Sequence, residues 1–278
     1  MVNLACQPSD LLARYIAHWQ LKAEGRPFYT ASSVLQPVRW RGQSAMLKIA
    51  MTAEEARGNR LMAWWDDRPV AQVFGQHGPA LLMECLAATP GLAAMAADGE
   101  DDECARILCR TVAGLHRPGR EPAPDLMPLS RWFEDLSAEA AVHGIAVRQA
   151  AMLAEALLAA PRDEVALHGD LHHGNVLFSP ARGWLAIDPK GLYGERAFDY
   201  ANLFCNPTAE MVEAPGRLQR LLSLVAAEAI LERRRLLCWV AAWAGLSAVW
   251  HRQDGTDDRT ARFVLDSALD MLASGAQP

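Results

Sequence analysis

The sequence predicts an α+β protein with two lobes, a small β-rich lobe over residues 1–86 and a larger, mainly helical lobe over residues 87–278. Strand-like runs are concentrated before residue 85, whereas Ala- and Leu-rich runs with helical spacing dominate the rest. A chain of 278 residues with 51% hydrophobic residues has enough apolar material for two lobes. Charged residues make up 22%, an ordinary globular value that excludes the class of disordered chains.

The elements of the first lobe follow from local patterns. Residues 9–24 repeat apolar side chains at helical spacing, which predicts a helix. Residues 28–49 alternate around a polar turn, which predicts two or three strands joined by a hairpin. Thr52 followed by Glu55 forms a capping box, so we expect a helix to begin there. Residues 71–84 predict two more short strands.

The second lobe is predicted to be helical, with one exception. A Pro-rich stretch over residues 117–128 interrupts the helical pattern. Residues 175–178 and 184–187 flank a turn and predict a β-hairpin, the only strands expected after residue 87. The predicted helical stretches are residues 101–116, 130–160 and 209–273.

Composition limits the classes of function. The formal net charge of −6 lacks the basic footprint of a nucleic-acid-binding protein and would suit a cationic or neutral small substrate. The longest apolar run, residues 236–250, is too short to cross a bilayer and predicts a buried helix. The N-terminal residues do not resemble a signal peptide, and the six cysteines are scattered as reduced thiols would be. We therefore expect a cytoplasmic monomer or dimer that binds neither nucleic acid nor a membrane.

The stretch HGDLHHGN, residues 168–175, combines three histidines, an aspartate and an asparagine within eight residues. The predicted hairpin that follows it folds the chain back, so Asp188 should return beside Asp170 and Asn175. Two carboxylates and an amide are oxygen ligands of the kind that Mg²⁺ prefers. A carboxylate that does not bind metal would be available as a base.

The spacing His168-x-Asp170-x(4)-Asn175 is that of a kinase catalytic loop. In that arrangement the Asp accepts the proton of the substrate hydroxyl, whereas the Asn and a later Asp hold Mg²⁺. The same arrangement requires a strand lysine paired with a helix glutamate, and Lys48 fits the first requirement. Glu54 and Glu55 both follow on the next helix, and the pattern alone leaves the choice between them open.

Two other classes of protein compete with a kinase. A metal hydrolase would use the histidines as ligands, but His172 and His173 are adjacent, which disfavours binding of one ion by both side chains. No further ligand cluster completes a zinc site. We expect His168 to hydrogen-bond the backbone of the loop, and Asp199 to cap a helix or to accept hydrogen bonds from that loop. A non-catalytic nucleotide-binding scaffold would lack a key residue, and none is missing.

The chain resembles the aminoglycoside phosphotransferase-type small-molecule kinases, and most of all the branch of the aminoglycoside 6-phosphotransferases (streptomycin kinases) and hydroxyurea antibiotic resistance kinases. The resemblance is dense in LHGDLHHGNVLFS, residues 167–179, and in GWLAIDPKGLYGERAFDYANLFCNP, residues 183–207. It extends more diffusely to EARG (55–58), LLMECL (81–86) and AGLH (113–116). It implies a protein-kinase-like bilobal fold.

The resemblance also implies ATP and Mg²⁺ as cofactors and a role for each site residue. Asp170 would be the base, Asn175 and Asp188 the metal ligands, and Lys48, with Glu55 favoured as its partner, would bind the phosphates. Backbone contacts to adenine would come from Met83, Glu84, Cys85 and Leu86. Ser32 and Ser33 would lie in the phosphate-covering loop, although no G-x-G-x-x-G precedes Lys48. His172, His173 and Glu195 are candidates for acceptor contacts.

The identity of the acceptor stays open at this point. The resemblance suggests an aminoglycoside such as streptomycin, whose guanidinium groups an acidic cleft would attract. A native metabolite alcohol or sugar is the alternative.

Overall fold

An antiparallel sheet of six strands with a helix on each side forms the N-terminal lobe. The structure, a computed structural model, describes residues 8–118 and 123–275. The strands follow the order β1-β3-β4-β6-β5, with β2 paired to β3, and all of these pairs are antiparallel. The elements are α1 (Pro8–His18), β1 (Lys22–Ala23), β2 (Phe28–Tyr29), β3 (Ser33–Trp40), β4 (Gln43–Ala50), α2 (Ala53–Trp64), β5 (Val73–His77) and β6 (Ala80–Glu84).

The first helix is shorter than predicted. It ends at His18 rather than near residue 24, because Gln20 adopts a left-handed φ of 53° and Lys22–Ala23 then pairs with β3. The predicted hairpin is confirmed as β3 and β4. Its two turn residues, Arg41 and Gly42, both have positive φ, the backbone that suits the twist of a two-residue hairpin.

The alternation of side chains along β4 places a lysine between the lobes. Ala45, Leu47 and Ile49 pack into the smaller hydrophobic cluster with α1. Lys48 points to the opposite face of the sheet, as successive strand residues do. Its side chain is nonetheless buried, at 3% exposure, because α2 and the second lobe cover that face.

The second lobe contains more strands than the single predicted hairpin. That hairpin is confirmed as β10 and β11, but β7 pairs with β10, and β9, β12 and β8 form a further small sheet. These additional strands are short and are defined by backbone pairing rather than by alternating side chains, which is why the sequence pattern missed them. The strands are β7 (Ala87–Gly91), β8 (Met127–Pro128), β9 (Glu164–Leu167), β10 (Val176–Ser179), β11 (Gly183–Ala186) and β12 (Leu192–Glu195).

Helices make up most of the second lobe, as predicted. Its helices are α3 (Leu92–Met95), a π-helical turn (Ala96–Glu100), α4 (Asp101–Leu115), α5 (Leu129–Trp132), α6 (Glu134–Glu139), α7 (Ile145–Ala159), a 3₁₀ segment (Arg196–Cys205), α8 (Ala209–Val212), α9 (Arg217–Glu228), α10 (Arg233–Gln253) and α11 (Arg259–Ala273). The apolar run in α10 is buried among its neighbours, which confirms the predicted core helix. Among the described residues, no helix is both long and apolar enough to cross a membrane.

The larger hydrophobic core is continuous across residue 86. It joins Leu61 and Trp65 of α2 and Leu81 of β6 to the helices of the second lobe. The division of the chain at residue 86 therefore stays a prediction from sequence patterns. The described cysteines are free thiols, whereas Cys6 and residues 119–122 of the Pro-rich stretch lie outside the described residues.

Candidate active site

A buried aspartate holds the loop that follows β9. Asp199, in the 3₁₀ segment, accepts hydrogen bonds from the backbone N–H groups of His168 at 2.8 Å and Gly169 at 2.7 Å. Its Oδ2 also lies 2.8 Å from His116 Nε2. These bonds confirm that Asp199 connects the 3₁₀ segment to the loop. They also fix the backbone just before Asp170, from which the Asp170 side chain extends.

His168 supports the loop from within. Its Nε2 donates to the Ile187 carbonyl at 2.8 Å, and its Nδ1 accepts from the Asp170 N–H at 3.2 Å. Burial lowers the pKa of His168, although the nearby Asp199 opposes this effect, so the ring is neutral at pH 7. Both ring nitrogens are used in backbone contacts, as predicted for a loop-supporting histidine.

The Asp170 carboxylate lies at the end of this loop and is held from two sides. Asn202 Nδ2 donates to Oδ1 at 2.9 Å, whereas Oδ2 has the longer contact of 3.4 Å with Asn175 Nδ2. Burial raises the pKa of Asp170 to about 7, with a further contribution from Asp188, while Lys190 acts in the opposite direction. A carboxylate with a pKa in this range can take up a proton at neutral pH.

The β10–β11 hairpin brings Asn175 and Asp188 together, as predicted. The Ile187 N–H donates to the Asn175 carbonyl at 2.9 Å, so the two ends of the hairpin are adjacent. Asn175 Nδ2 donates to the Asp170 carbonyl at 2.8 Å, which turns its side-chain oxygen the other way. Asp188 adopts a left-handed φ of 59°, a backbone that few non-glycine residues use and that is common at functional positions.

These oxygens are a suitable donor set for Mg²⁺. Within residues 8–118 and 123–275, no three His, Cys, Asp or Glu side chains are arranged to hold a metal ion. One carboxylate and one amide oxygen fit an ion that keeps several waters and binds through substrate phosphates. The set does not fit a structural zinc site, which needs four nitrogen or sulfur ligands.

Lys48 reaches this region from the other lobe. Its Nζ forms a salt bridge with Glu55 Oε2 and lies 2.7 Å from Asp188 Oδ1. Burial would raise the pKa of Glu55, but the charges of Lys48 and Lys190 outweigh burial and lower it. Glu55 is therefore the partner of Lys48, whereas Glu54 pairs with Lys190 at 3.1 Å.

Half of the predicted capping box forms. The Thr52 hydroxyl accepts from the Glu55 N–H at 3.2 Å, but the Glu55 carboxylate turns to Lys48 instead of returning to the helix end. The hydroxyls of Ser32 and Ser33 each donate to this carboxylate at 3.2 Å. The observed partner of both hydroxyls is therefore Glu55, and their donation to phosphate stays a prediction.

The segment predicted to contact adenine lies at the end of β6. Met83 is buried, and Cys85 and Leu86 are partly buried where the chain passes between the lobes. The Glu84 carboxylate accepts from Ser179 Oγ and Arg182 Nη1, both at 3.1 Å. The side chain of Glu84 is thus used to join the lobes, and its predicted backbone contact to adenine stays a prediction.

A cavity of about 700 Å³ opens beside Asp170 and Lys190. Its acidic lining residues are Glu54, Glu134, Asp135 and Asp170. Its aromatic lining residues are Trp132, Trp243 and Trp250. The Trp250 indole N–H donates to Asp135 Oδ2 at 2.8 Å, and the Trp243 indole N–H donates to Asn202 Oδ1 at 3.0 Å. Acidic groups and tryptophan faces together favour a cationic ligand.

Only one of the three candidate acceptor contacts lines this cavity. His172 does so, and its Nδ1 accepts from the Gly174 N–H at 3.0 Å. His173 is buried at 4% exposure and is not among the lining residues. Glu195 is also buried, and its carboxylate binds Arg235 Nε at 2.6 Å and the Arg162 N–H at 3.1 Å. The predicted acceptor contacts of His173 and Glu195 are therefore corrected.

Sequence reasoning missed several residues of the site. Lys190 and Asn202 both contact or approach Asp170, and Asp135 and Trp250 form one wall of the cavity. Lys190 lies two residues after Asp188, so its position offered a signal. Asn202 and the cavity wall depend on tertiary packing and offered none.

Comparisons with known proteins place the chain in a family. Residues 18–255 match the family described as "Aminoglycoside/hydroxyurea antibiotic resistance kinase". A "Streptomycin 3''-kinase" of Klebsiella pneumoniae is 50% identical over 242 residues, which cover 85% of this chain and 91% of that protein. A "Streptomycin 6-kinase" of Streptomyces griseus is 30% identical over 266 residues, which cover 88% of this chain and 83% of that protein.

Solved structures share the fold at low sequence identity. A thermostable mutant of aminoglycoside phosphotransferase APH(4)-Ia superimposes with a TM-score of 0.62 and 14% identity, covering 96% of this chain and 99% of that one. Choline kinase LicA from Streptococcus pneumoniae gives a TM-score of 0.58 and 13% identity, with the same coverage. The predicted protein-kinase-like bilobal fold is thus confirmed, and the chain belongs to the aminoglycoside/hydroxyurea antibiotic resistance kinase family.

Proposed function

We propose that this kinase transfers the γ-phosphoryl group of ATP to a hydroxyl of streptomycin, and that the hydroxyl is the one at position 3''. The observation that carries the proposal is the position of Asp170, which lies at the border between the Lys48–Asp188 region and the acidic, tryptophan-lined cavity. The choice of position 3'' follows the relative that is 50% identical rather than those near 30%.

The phosphate donor would lie between the lobes. Lys48, held by Glu55, is placed to bind the α- and β-phosphates. Asn175 and Asp188 would hold Mg²⁺, which supplies positive charge to the phosphate oxygens when it is bound. Residues Met83–Leu86 would provide the backbone contacts to adenine.

The contacts of Asp170 support different tasks for its two oxygens. Asn202 holds Oδ1 at 2.9 Å, so Oδ2 is the oxygen that accepts the proton of the acceptor hydroxyl. The acceptor oxygen bonds to the γ-phosphorus while the bond from that phosphorus to the β-phosphate oxygen breaks. Most of the rate enhancement then comes from positioning and from charge neutralisation.

The size and the charge of the cavity favour streptomycin over a small acceptor such as hydroxyurea. A volume of about 700 Å³ lies within the range of roughly 300–1,000 Å³ that drug-sized ligands occupy. Four carboxylates line the cavity, and its basic lining residues are Arg131, Lys190, His172 and His251. Streptomycin carries two guanidinium groups and an amine, so its charge complements this wall.

Product analysis tests the proposal directly. The purified protein is incubated with ATP, Mg²⁺ and streptomycin, and the phosphorylated position is identified by ³¹P and ¹H NMR. We expect phosphate on the 3''-hydroxyl and, for Asp170→Asn, a rate roughly 10²–10⁴-fold lower. Phosphate on the 6-hydroxyl would overturn the choice of position, and no streptomycin phosphate at all would overturn the acceptor.

A further inference from the structure

We infer that Lys190 is a second catalytic lysine, whose ammonium group binds the γ-phosphoryl group during transfer. This inference rests on the proposed function as an ATP-dependent kinase. The role of Lys190 is distinct from that of Lys48, which binds the α- and β-phosphates that stay with the leaving nucleotide.

The backbone of Lys190 is fixed between the catalytic loop and α2. Its N–H donates to the His168 carbonyl at 2.7 Å, and its own carbonyl accepts from Arg57 Nε at 3.2 Å. The next residue, Gly191, has a φ of +70°, and a Cβ there would lie 2.6 Å from the Arg57 side chain. The backbone of Lys190 is therefore held in a defined position between the catalytic loop and α2.

The side chain of Lys190 reaches the border between the nucleotide region and the acceptor cavity. Its Nζ lies 3.1 Å from Glu54 Oε1, 3.4 Å from Glu55 Oε1 and 4.0 Å from Asp170 Oδ2. The same lysine lines the cavity. The Glu55 carboxylate thus bridges two ammonium groups, Lys48 through Oε2 and Lys190 through Oε1.

This position matches the path of the transferred group. The γ-phosphorus must pass from the Lys48–Asp188 side to an acceptor oxygen beside Asp170 Oδ2, and the Lys190 ammonium lies 4.0 Å from that oxygen. As the bond to the β-phosphate breaks and the bond to the acceptor forms, negative charge spreads over the three peripheral oxygens of the phosphoryl group. A donated hydrogen bond from Lys190 to one of these oxygens stabilises that charge, and no proton changes hands at the lysine.

The composition of the chain supports a special role for this residue. Of its 27 lysines and arginines, only three are lysines, and two of these, Lys48 and Lys190, lie in the site. The third, Lys22, is exposed on β1. A chain that otherwise builds its positive charges from arginine uses here the compact ammonium, which can move among several oxygens without the planar geometry of a guanidinium.

A comparison of nucleotides separates this role from that of a structural ion pair. The Kd values of Mg²⁺–ADP and Mg²⁺–AMP-PNP are measured by calorimetry for the wild type, Lys190→Met and the exposed control Lys22→Met. We expect Lys190→Met to weaken AMP-PNP by about tenfold or more while ADP changes little, because only AMP-PNP carries a γ-phosphate analogue. We expect kcat to fall on the order of 10²–10³-fold with a smaller change in KM for ATP.

Equal losses for the two nucleotides, or a kcat within about threefold of the wild type, would overturn the inference. The two Kd values are compared within one protein, so partial unfolding of Lys190→Met would affect both and leave their ratio unchanged. Lys190→Gln provides a second variant. Absence of streptomycin phosphate with the wild type would remove the acceptor assignment alone. The nucleotide ratio, with kcat read as ATP hydrolysis, would still decide the role of Lys190.

Discussion

Replacing Asp199 by asparagine isolates the contribution of the buried anchor beneath the catalytic loop. The Asp199 side chain has 0% exposure and accepts three hydrogen bonds, two from backbone N–H groups and one from His116. An asparagine keeps one acceptor oxygen, so its NH₂ group must face at least one donor. We therefore expect both a loss of stability and a misplaced Asp170.

The size of the effect follows from these contacts. A buried N–H left unpaired costs about 1–3 kcal/mol, and the two remaining bonds each lose about 1 kcal/mol when their acceptor is no longer charged. The total of about 3–5 kcal/mol is a large fraction of a typical folding free energy of about 5–15 kcal/mol. For a chain of 278 residues it corresponds to a decrease in Tm of roughly 5–9 °C.

Urea unfolding and steady-state kinetics measure the two consequences. The matched control is Asp163→Asn, because Asp163 is 72% exposed and its ion pair with Arg196, at 3.4 Å, contributes little. We expect the control to stay within about 0.5 kcal/mol of the wild type. We also expect Asp199→Asn to lower kcat at least about tenfold, because the geometry of the base depends on this anchor. An Asp199→Asn protein as stable and as active as the control would refute this reasoning.

Three other changes test the site. Because the pKa of Asp170 is raised to about 7 and the base acts unprotonated, kcat/KM should rise with pH up to about 7, and a profile flat from pH 5.5 to 8 would contradict this. Gly58→Ala should lower stability by about 1–3 kcal/mol in urea unfolding, because its Cβ would lie 1.9 Å from the Pro189 carbonyl oxygen and overpacking exceeds the gain of up to about 1 kcal/mol in helix propensity. Asp135→Asn should raise KM for streptomycin about tenfold with kcat unchanged, because it removes the carboxylate held by Trp250; an unchanged KM would exclude this wall from acceptor binding.

Local patterns were sufficient to predict the part of the site that lies on one hairpin. Asp170, Asn175 and Asp188 converge because β10 and β11 reverse the direction of the chain. A hairpin of this kind can be predicted from a few consecutive residues. The pairing of Lys48 with Glu55 was less accessible, because both glutamates of α2 lie close to a lysine. Only the packing of the helix shows that Glu55 reaches Lys48, whereas Glu54 pairs with Lys190 alone.

Proximity in the chain to Asp188 was a poor guide to acceptor contacts. Glu195 lies only seven residues beyond it, but β12 runs along β9 and carries the carboxylate to Arg235. Asn202, farther along the chain, returns to Asp170 because the 3₁₀ segment packs against α10, where Trp243 binds its side-chain oxygen. Such contacts depend on tertiary packing, so local sequence patterns do not predict them.

The helix α2 connects the two halves of the site, and its position depends on both lobes. Toward the N-terminal sheet, Glu55 holds Lys48. Toward the second lobe, Gly58 lies so close to the Pro189 carbonyl that no side chain fits, and Arg57 donates to the Lys190 carbonyl. The same helix therefore sets the distance between Lys48 and the segment that carries Asp188 and Lys190. A shift of α2 would move both sets of charges relative to the phosphates at once, so the alignment of donor and base depends on its packing.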